Sequence, residues 1–225
     1  MDTYYRPTRA EISLDALSRN IAAFRRALAP GTKLMASVKA NAYGHGAVEI
    51  ARESVSAGAD MLGVAFLDEA VQLRRGGIEA PILVLGYVPP EGFSVARELD
   101  ISVAMFREDA LEAAARPGTR PLRVHVKVDT GMGRLGVLPE EAVRFVERAM
   151  RTPGVEVEGL FTHFARADEA DKSYTRLQHE RFAAVTEAVR RRGLDIPLIH
   201  LGNSAAGIDT PEWTGGMLRL GIGMY

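Results

Sequence analysis

Cysteine is missing altogether from the 225 residues, which excludes disulfides, thiolate metal sites and cysteine nucleophiles. An excess of one charge is missing too. Lys and Arg number 28 against 29 Asp and Glu, a formal net charge of −1. The charges are interspersed, so no basic stripe argues for nucleic acid and no polybasic segment for a membrane surface. No apolar run is long enough to span a bilayer, and Met1-Asp2-Thr3-Tyr4-Tyr5-Arg6-Pro7 has no apolar signal core; a cytoplasmic protein is expected. The five histidines lack His-x3-His or His-Glu-x-x-His spacing, so no metal is expected. Linkers, repeats and low-complexity tracts are also lacking. What remains is an ordinary globular composition, 47% hydrophobic and 25% charged, enough for a full core in one domain spanning residues 1–225.

Amphipathic helical stretches alternate with short β-branched runs along the chain. A helix over Asp15–Leu28, capped at Ser13 or Asp15 and stopped by Pro30-Gly31, precedes a strand at Leu34–Val38. Helix Gly46–Ala57 leads to strand Met61–Val64, helix Asp68–Arg75 to strand Pro81–Leu85, and helix Glu91–Leu99 to strand Ser102–Met105. Helix Glu108–Ala115 then precedes strand Leu122–Val128, and helix Pro139–Arg151 precedes strand Val157–Thr162. Helix Tyr174–Arg192 leads to strand Leu198–His200, and a short helix at Ser204–Ile208 to strand Leu218–Gly221. Eight strands, each reached through a helix, predict a parallel sheet closed into a (β/α)8 TIM-type barrel, with a doubly wound open sheet as the rival.

A barrel places its chemistry at the C-terminal ends of its strands. Lys39 stands at such an end, leaving the apolar run Leu34–Val38. Partial desolvation there favours a neutral amine that can attack carbonyls. The small, glycine-containing run Ala40-Asn41-Ala42-Tyr43-Gly44-His45-Gly46 would let backbone approach a ligand closely. After strand seven, Asn203 and Ser204 open a helix and suit an anion. After strand eight, Arg219-Leu220-Gly221-Ile222-Gly223 offers further backbone N–H groups. Both segments fall where a barrel binds phosphate. In Arg123-Val124-His125-Val126-Lys127 the valines take one face and the polar side chains the other. Lys127 on such a strand needs a partner or a changed charge state, and Arg219 needs an acceptor. His163 and His200 end adjacent strands.

The segments Val-Lys-Ala-Asn-Ala-Tyr-Gly-His-Gly, Asp-Thr-Gly-Met-Gly-Arg-Leu-Gly, Thr-His-Phe and Asn-Ser-Ala-Ala together resemble those of the alanine racemase family, whose fold-type III barrel carries pyridoxal 5′-phosphate (PLP). The resemblance runs from about Arg9 to Tyr225. It implies that Lys39 holds PLP covalently and takes the α-proton of D-alanine. It implies that Tyr43, Ser204 and the backbone at Gly221 and Ile222 hold the phosphate, with Asn203 nearby. Arg219 would meet the pyridine nitrogen. Arg134 would position the substrate carboxylate, and Lys127 would be carbamylated and fix Arg134. His163 and His200 would support this network.

The resemblance further implies an isomerase that supplies D-alanine for peptidoglycan and works as a homodimer. The family's second proton-handling residue is a tyrosine of a C-terminal β-domain, which the 225 residues lack. A barrel fragment that binds PLP but racemises poorly is therefore expected. The alternatives are a serine or lysine racemase of the same family, a single-domain PLP-homeostasis protein, and a barrel for another phosphorylated ligand. The set Lys127, Arg134 and His163 has a purpose in amino-acid chemistry and none in PLP storage.

Overall fold

A computed structural model describes residues 8–115 and 120–225. The elements in order are α1 (Leu14–Ala27), β1 (Lys33–Ser37), α2 (Lys39–Tyr43), α3 (Ala47–Ser56), β2 (Met61–Val64), α4 (Leu67–Arg75), β3 (Ile82–Val84), α5 (Phe93–Glu98), β4 (Ile101–Met105), α6 (Glu108–Ala114), β5 (Leu122–Lys127), α7 (Pro139–Arg151), β6 (Val155–Phe161), α8 (Ser173–Arg191), β7 (Leu198–His200), α9 (Ser204–Asp209) and β8 (Met217–Leu220). Among the described residues no helix is long and apolar enough to cross a membrane.

All eight strands are parallel, in the order β7-β6-β5-β4-β3-β2-β1-β8. The seam between β7 and β8 is not a regular ladder. The N–H of Gly216 donates to Ile199 O at 2.8 Å, that of Leu201 to Thr214 O at 3.0 Å, and that of Arg219 to Gly202 O at 3.0 Å. These bonds close the ring into a barrel and exclude the open sheet.

Sequence dictates the helices plainly. Ser13 caps α1, its Oγ accepting from Ala16 N at 3.2 Å, which settles the choice between Ser13 and Asp15. In α7, Pro139 sits at the start and Ala142, Phe145, Val146 and Ala149 repeat at 3, 4 and 7, so one face is buried. That face meets β6 and α8; Phe145 alone, about 1% exposed, contributes about 1.5–3 kcal/mol.

Alternation along each strand divides the core in two. Leu34 and Ala36, Leu62 and Val64, and Ile82 and Val84 face outward and pack under the helices. Met35, Met61, Leu83 and Met217 face inward as a separate apolar plug, with Leu85 and Leu198 against it. Gly63 makes room for this plug, since a Cβ there would lie 2.7 Å from Met35 Sδ. Toward β5–β8 the interior becomes polar, with His125, Lys127, His200 and Arg219 all buried.

Candidate active site

Lys39 begins α2, two residues beyond β1, and is half-buried. The segment after it differs from the glycine-led loop read from the sequence. Ala40, Asn41, Ala42 and Tyr43 themselves adopt left-handed backbone, with φ of 51°, 54°, 53° and 54°. A left-handed turn of L-residues costs roughly 1–2 kcal/mol per residue, so tertiary contacts must hold it. Glu69 of α4 does so: its Oε1 accepts from Ala40 N at 2.6 Å, and its Oε2 from Ala65 N and Phe66 N at 2.6 and 3.0 Å. Asn41 Oδ1 accepts from Ala47 N at 2.9 Å. The turn carries the Tyr43 ring to 5.7 Å from Lys39 Nζ. Glu69 was absent from the sequence-based set. Its only signal is a Glu in the first turn of a helix that starts at a strand end, the second half of a capping box.

The segments after β7 and β8 converge as the sequence implied. Ser204 Oγ accepts from Gly221 N at 2.9 Å and Gly223 N at 3.2 Å. A Cβ on Gly221 would lie 3.1 Å from Tyr43 Oη and 3.9 Å from Ser204 Oγ, so two hydroxyls and a backbone cradle open at one place. Ser37, on the inward face of β1, has a buried hydroxyl with no hydrogen-bond partner among the described residues. Asn203 does a local job: its Oδ1 caps α9 by accepting from Ala206 N at 3.0 Å. Ile222, between the two glycines, is 76% exposed.

Arg219 lies fully buried on β8. It donates to Thr162 O at 2.7 Å, Leu201 O at 2.8 Å, His200 Nδ1 at 2.8 Å and His163 Nδ1 at 3.2 Å. Burial pulls its pKa down to about 9, which still leaves the guanidinium charged at neutral pH and able to donate to these four acceptors. Both histidines are driven well below their ordinary pKa, first by burial and then by the Arg219 charge. They are therefore neutral acceptors.

Lys127 ends β5 in register with Phe161 and, through it, His200. Its ammonium stands 5.5 Å from the Phe161 ring centre. Burial, then the charges of Arg134 and Arg219, lower its pKa to about 8. Asp129, whose charge works in the opposite direction, is engaged elsewhere, accepting from the N–H groups of Gly131, Gly133 and Arg134 at 2.9, 3.1 and 3.1 Å. Those bonds shape the loop that carries the exposed Arg134. Helix α8 holds the same loop: Tyr174 Oη donates to Gly131 O at 2.7 Å and Arg181 to Thr130 O at 3.0 Å. Lys39, Lys127, Arg134 and Arg219 thus gather four cations at one mouth. Tyr225 joins from the other side. Its hydroxyl donates to Ser37 O at 3.0 Å and its ring stacks on His45 at 4.6 Å. Burial, then Tyr43, pushes its pKa up, which makes it a hydrogen-bond donor rather than a base.

This geometry is shared with known proteins. The family model described as alanine racemase, N-terminal domain, matches residues 12–225. An alanine racemase of Geobacillus stearothermophilus is 48% identical over 228 aligned residues, which cover 100% of this chain and 58% of that protein. Alanine racemase 2 of Oceanobacillus iheyensis is 46% identical, over 98% of this chain and 57% of its own length. Among solved structures, the alanine racemase of Bacillus anthracis with bound L-Ala-P superposes with a TM-score of 0.94 at 38% identity, covering 100% of this chain and 59% of that one. The chain thus spans about three-fifths of the length of the relatives it matches. With its barrel, its strand-end lysine and its matched segments agreeing over residues 12–225, the chain belongs to the alanine racemase family, of which it represents the N-terminal domain.

Proposed function

We propose that this barrel carries PLP and serves the interconversion of L- and D-alanine. The observation that carries the reading is the convergence of Lys39, the Tyr43–Ser204–Gly221 cradle and buried Arg219 at one barrel mouth. The cradle offers hydroxyl and backbone donors to a phosphate. Lys39 offers an amine to an aldehyde, and Arg219 a fixed donor to a ring nitrogen. The residues fit PLP. When bound, PLP supplies an electron sink that makes the α-proton of an amino acid removable.

The chain's own residues do the rest. Lys39 Nζ moves the α-proton on its face of the substrate. Arg134, on a loop fixed by Asp129 and α8, meets the substrate carboxylate. Arg219 cannot readily give up a proton to a ring nitrogen, which restrains the electron sink and favours return of the proton to carbon. Lys127, with a pKa of about 8, presents enough neutral amine to add CO2, losing one proton to form a carbamate anion. That anion would replace one cation of the cluster with a counter-ion and brace Arg134. Racemisation also needs a group on the opposite face. Tyr225 is engaged with Ser37 O, so the opposite-face group is assigned to residues outside this barrel, in keeping with a homodimer acting in the cytoplasm.

The test is an absorbance band near the visible edge on adding PLP, abolished in Lys39→Ala. Isotope exchange of the α-proton should then run chiefly with D-alanine. Failure to form the band overturns the PLP assignment; equal exchange of both enantiomers overturns the one-faced assignment.

A further inference from the structure

Arg219 is a buried cation with no carboxylate partner among the described residues, but a chain of imidazoles links it to one. Arg219 donates to His200 Nδ1 at 2.8 Å, His200 Nε2 stands 3.0 Å from His125 Nδ1, and His125 Nε2 stands 3.6 Å from Glu158 Oε2. His125 and His200 are both fully buried. Glu158 is fixed from two sides, accepting from Ser102 Oγ at 2.6 Å and pairing with Arg123 at 3.4 Å.

Donor chemistry gives this chain one direction. A guanidinium has donors only, so His200 Nδ1 must be the acceptor. Neutral His200 then carries its proton on Nε2 and donates to His125 Nδ1. Burial lowers the His125 pKa as well, and neutral His125 carries its proton on Nε2, where among the described residues it has no hydrogen-bond partner and faces the Glu158 carboxylate. The fold makes room for this. Gly159 of β6 lies between β5 and β7, and a Cβ there would overlap the His125 ring, blocking its approach to His200. A β-bulge at Val124/His125 shifts the register so that His125 pairs with Gly159.

We propose that Glu158 and His125 are positioning residues that act through His200 on Arg219. The carboxylate favours from the far end the same tautomers that the guanidinium requires from the near end, so that a lone pair faces the guanidinium. It also serves as the remote counter-ion of that buried charge. The chain runs from the candidate active site down the barrel interior to Glu158, whose side chain is 25% exposed. This inference rests on the proposed role of Arg219 for its functional meaning, but its test needs no cofactor.

The decisive measurement is 15N NMR of the imidazoles in the cofactor-free protein, together with hydrogen exchange of the Arg219 side-chain N–H groups. His125 and His200 should both carry the proton on Nε2. In Glu158→Leu the His125 tautomer should become mixed, and Arg219 exchange should rise about fivefold, the equivalent of one net hydrogen bond of ~1 kcal/mol. Glu158→Gln keeps an acceptor oxygen and should restore the single His125 tautomer while leaving part of the faster exchange. A proton on Nδ1 of either histidine in the unvaried protein overturns the proposal whatever the variants do. Unchanged Arg219 exchange in both variants overturns it as well. Because PLP is absent throughout, these outcomes are distinct from failure of the PLP band.

Discussion

The two halves of the barrel interior solve different problems. Around β1–β3 and the start of β8 the inside is a plug of Met35, Met61, Leu83 and Met217, which gains stability from burial and asks nothing of its neighbours. Around β5–β8 the inside holds His125, Lys127, His200 and Arg219, each of which costs free energy to bury unless paired. The polar half tolerates this through a connected network in which Arg219 alone makes four hydrogen bonds. The lesson is one of division of labour. One side of the ring supports the fold, and the other spends part of that stability on a fixed cationic site.

Substitutions on each side should separate the two roles. Met35→Ala removes a side chain from a closed plug, and chemical denaturation should show a loss of about 2–5 kcal/mol, with the PLP band retained under native conditions. Arg219→Met leaves Thr162 O, Leu201 O and two imidazoles without their donor. A loss of about 1–3 kcal/mol is expected, together with a changed PLP spectrum that Met35→Ala does not show. Lys127→Met goes the other way. It removes a buried cation from a cluster of cations and should raise stability by about 1–3 kcal/mol in CO2-free buffer.

The pH dependence has a definite sign. Lys127 titrates near 8 in the folded protein against an ordinary value of 10.5. Between those values the unfolded chain holds the extra proton, so stability should climb from about pH 8 to about pH 10.5. Comparing melting temperatures of the two proteins at both ends of that window isolates this contribution, because Lys127→Met should lack it. The smallest effect is expected outside the barrel interior. Glu69→Ala should cost about 1 kcal/mol or somewhat more, and should weaken PLP binding by loosening the left-handed turn that carries Tyr43.

Much of the fold was legible in the chain because its signals are local. Helix α7 and strands β2 and β7 fall where the sequence placed them, since an i, i+3, i+4 stripe or a short apolar run reports its own environment. Lys39, Ser204 and Gly221 were legible as well, because a barrel puts strand ends on one face. The left-handed turn was not. Two alanines, an asparagine and a tyrosine carry its positive φ angles while the glycines only follow it, and what holds it is Glu69, nearly thirty residues away. The His125–His200 contact was equally hidden. The two residues stand on non-adjacent strands and meet only because Gly159 leaves the strand between them without a side chain.

By itself, then, the sequence determined the strand–helix alternation, the apolar and polar faces of β5, and the chemical groups at the strand ends. Those properties follow from periodicity and residue type within a few positions. Tertiary structure decided the rest: which strand ends share a mouth, which lone pair faces Arg219, and how four cations come to lie together at that mouth. Such outcomes depend on distances across the ring, which no local pattern encodes.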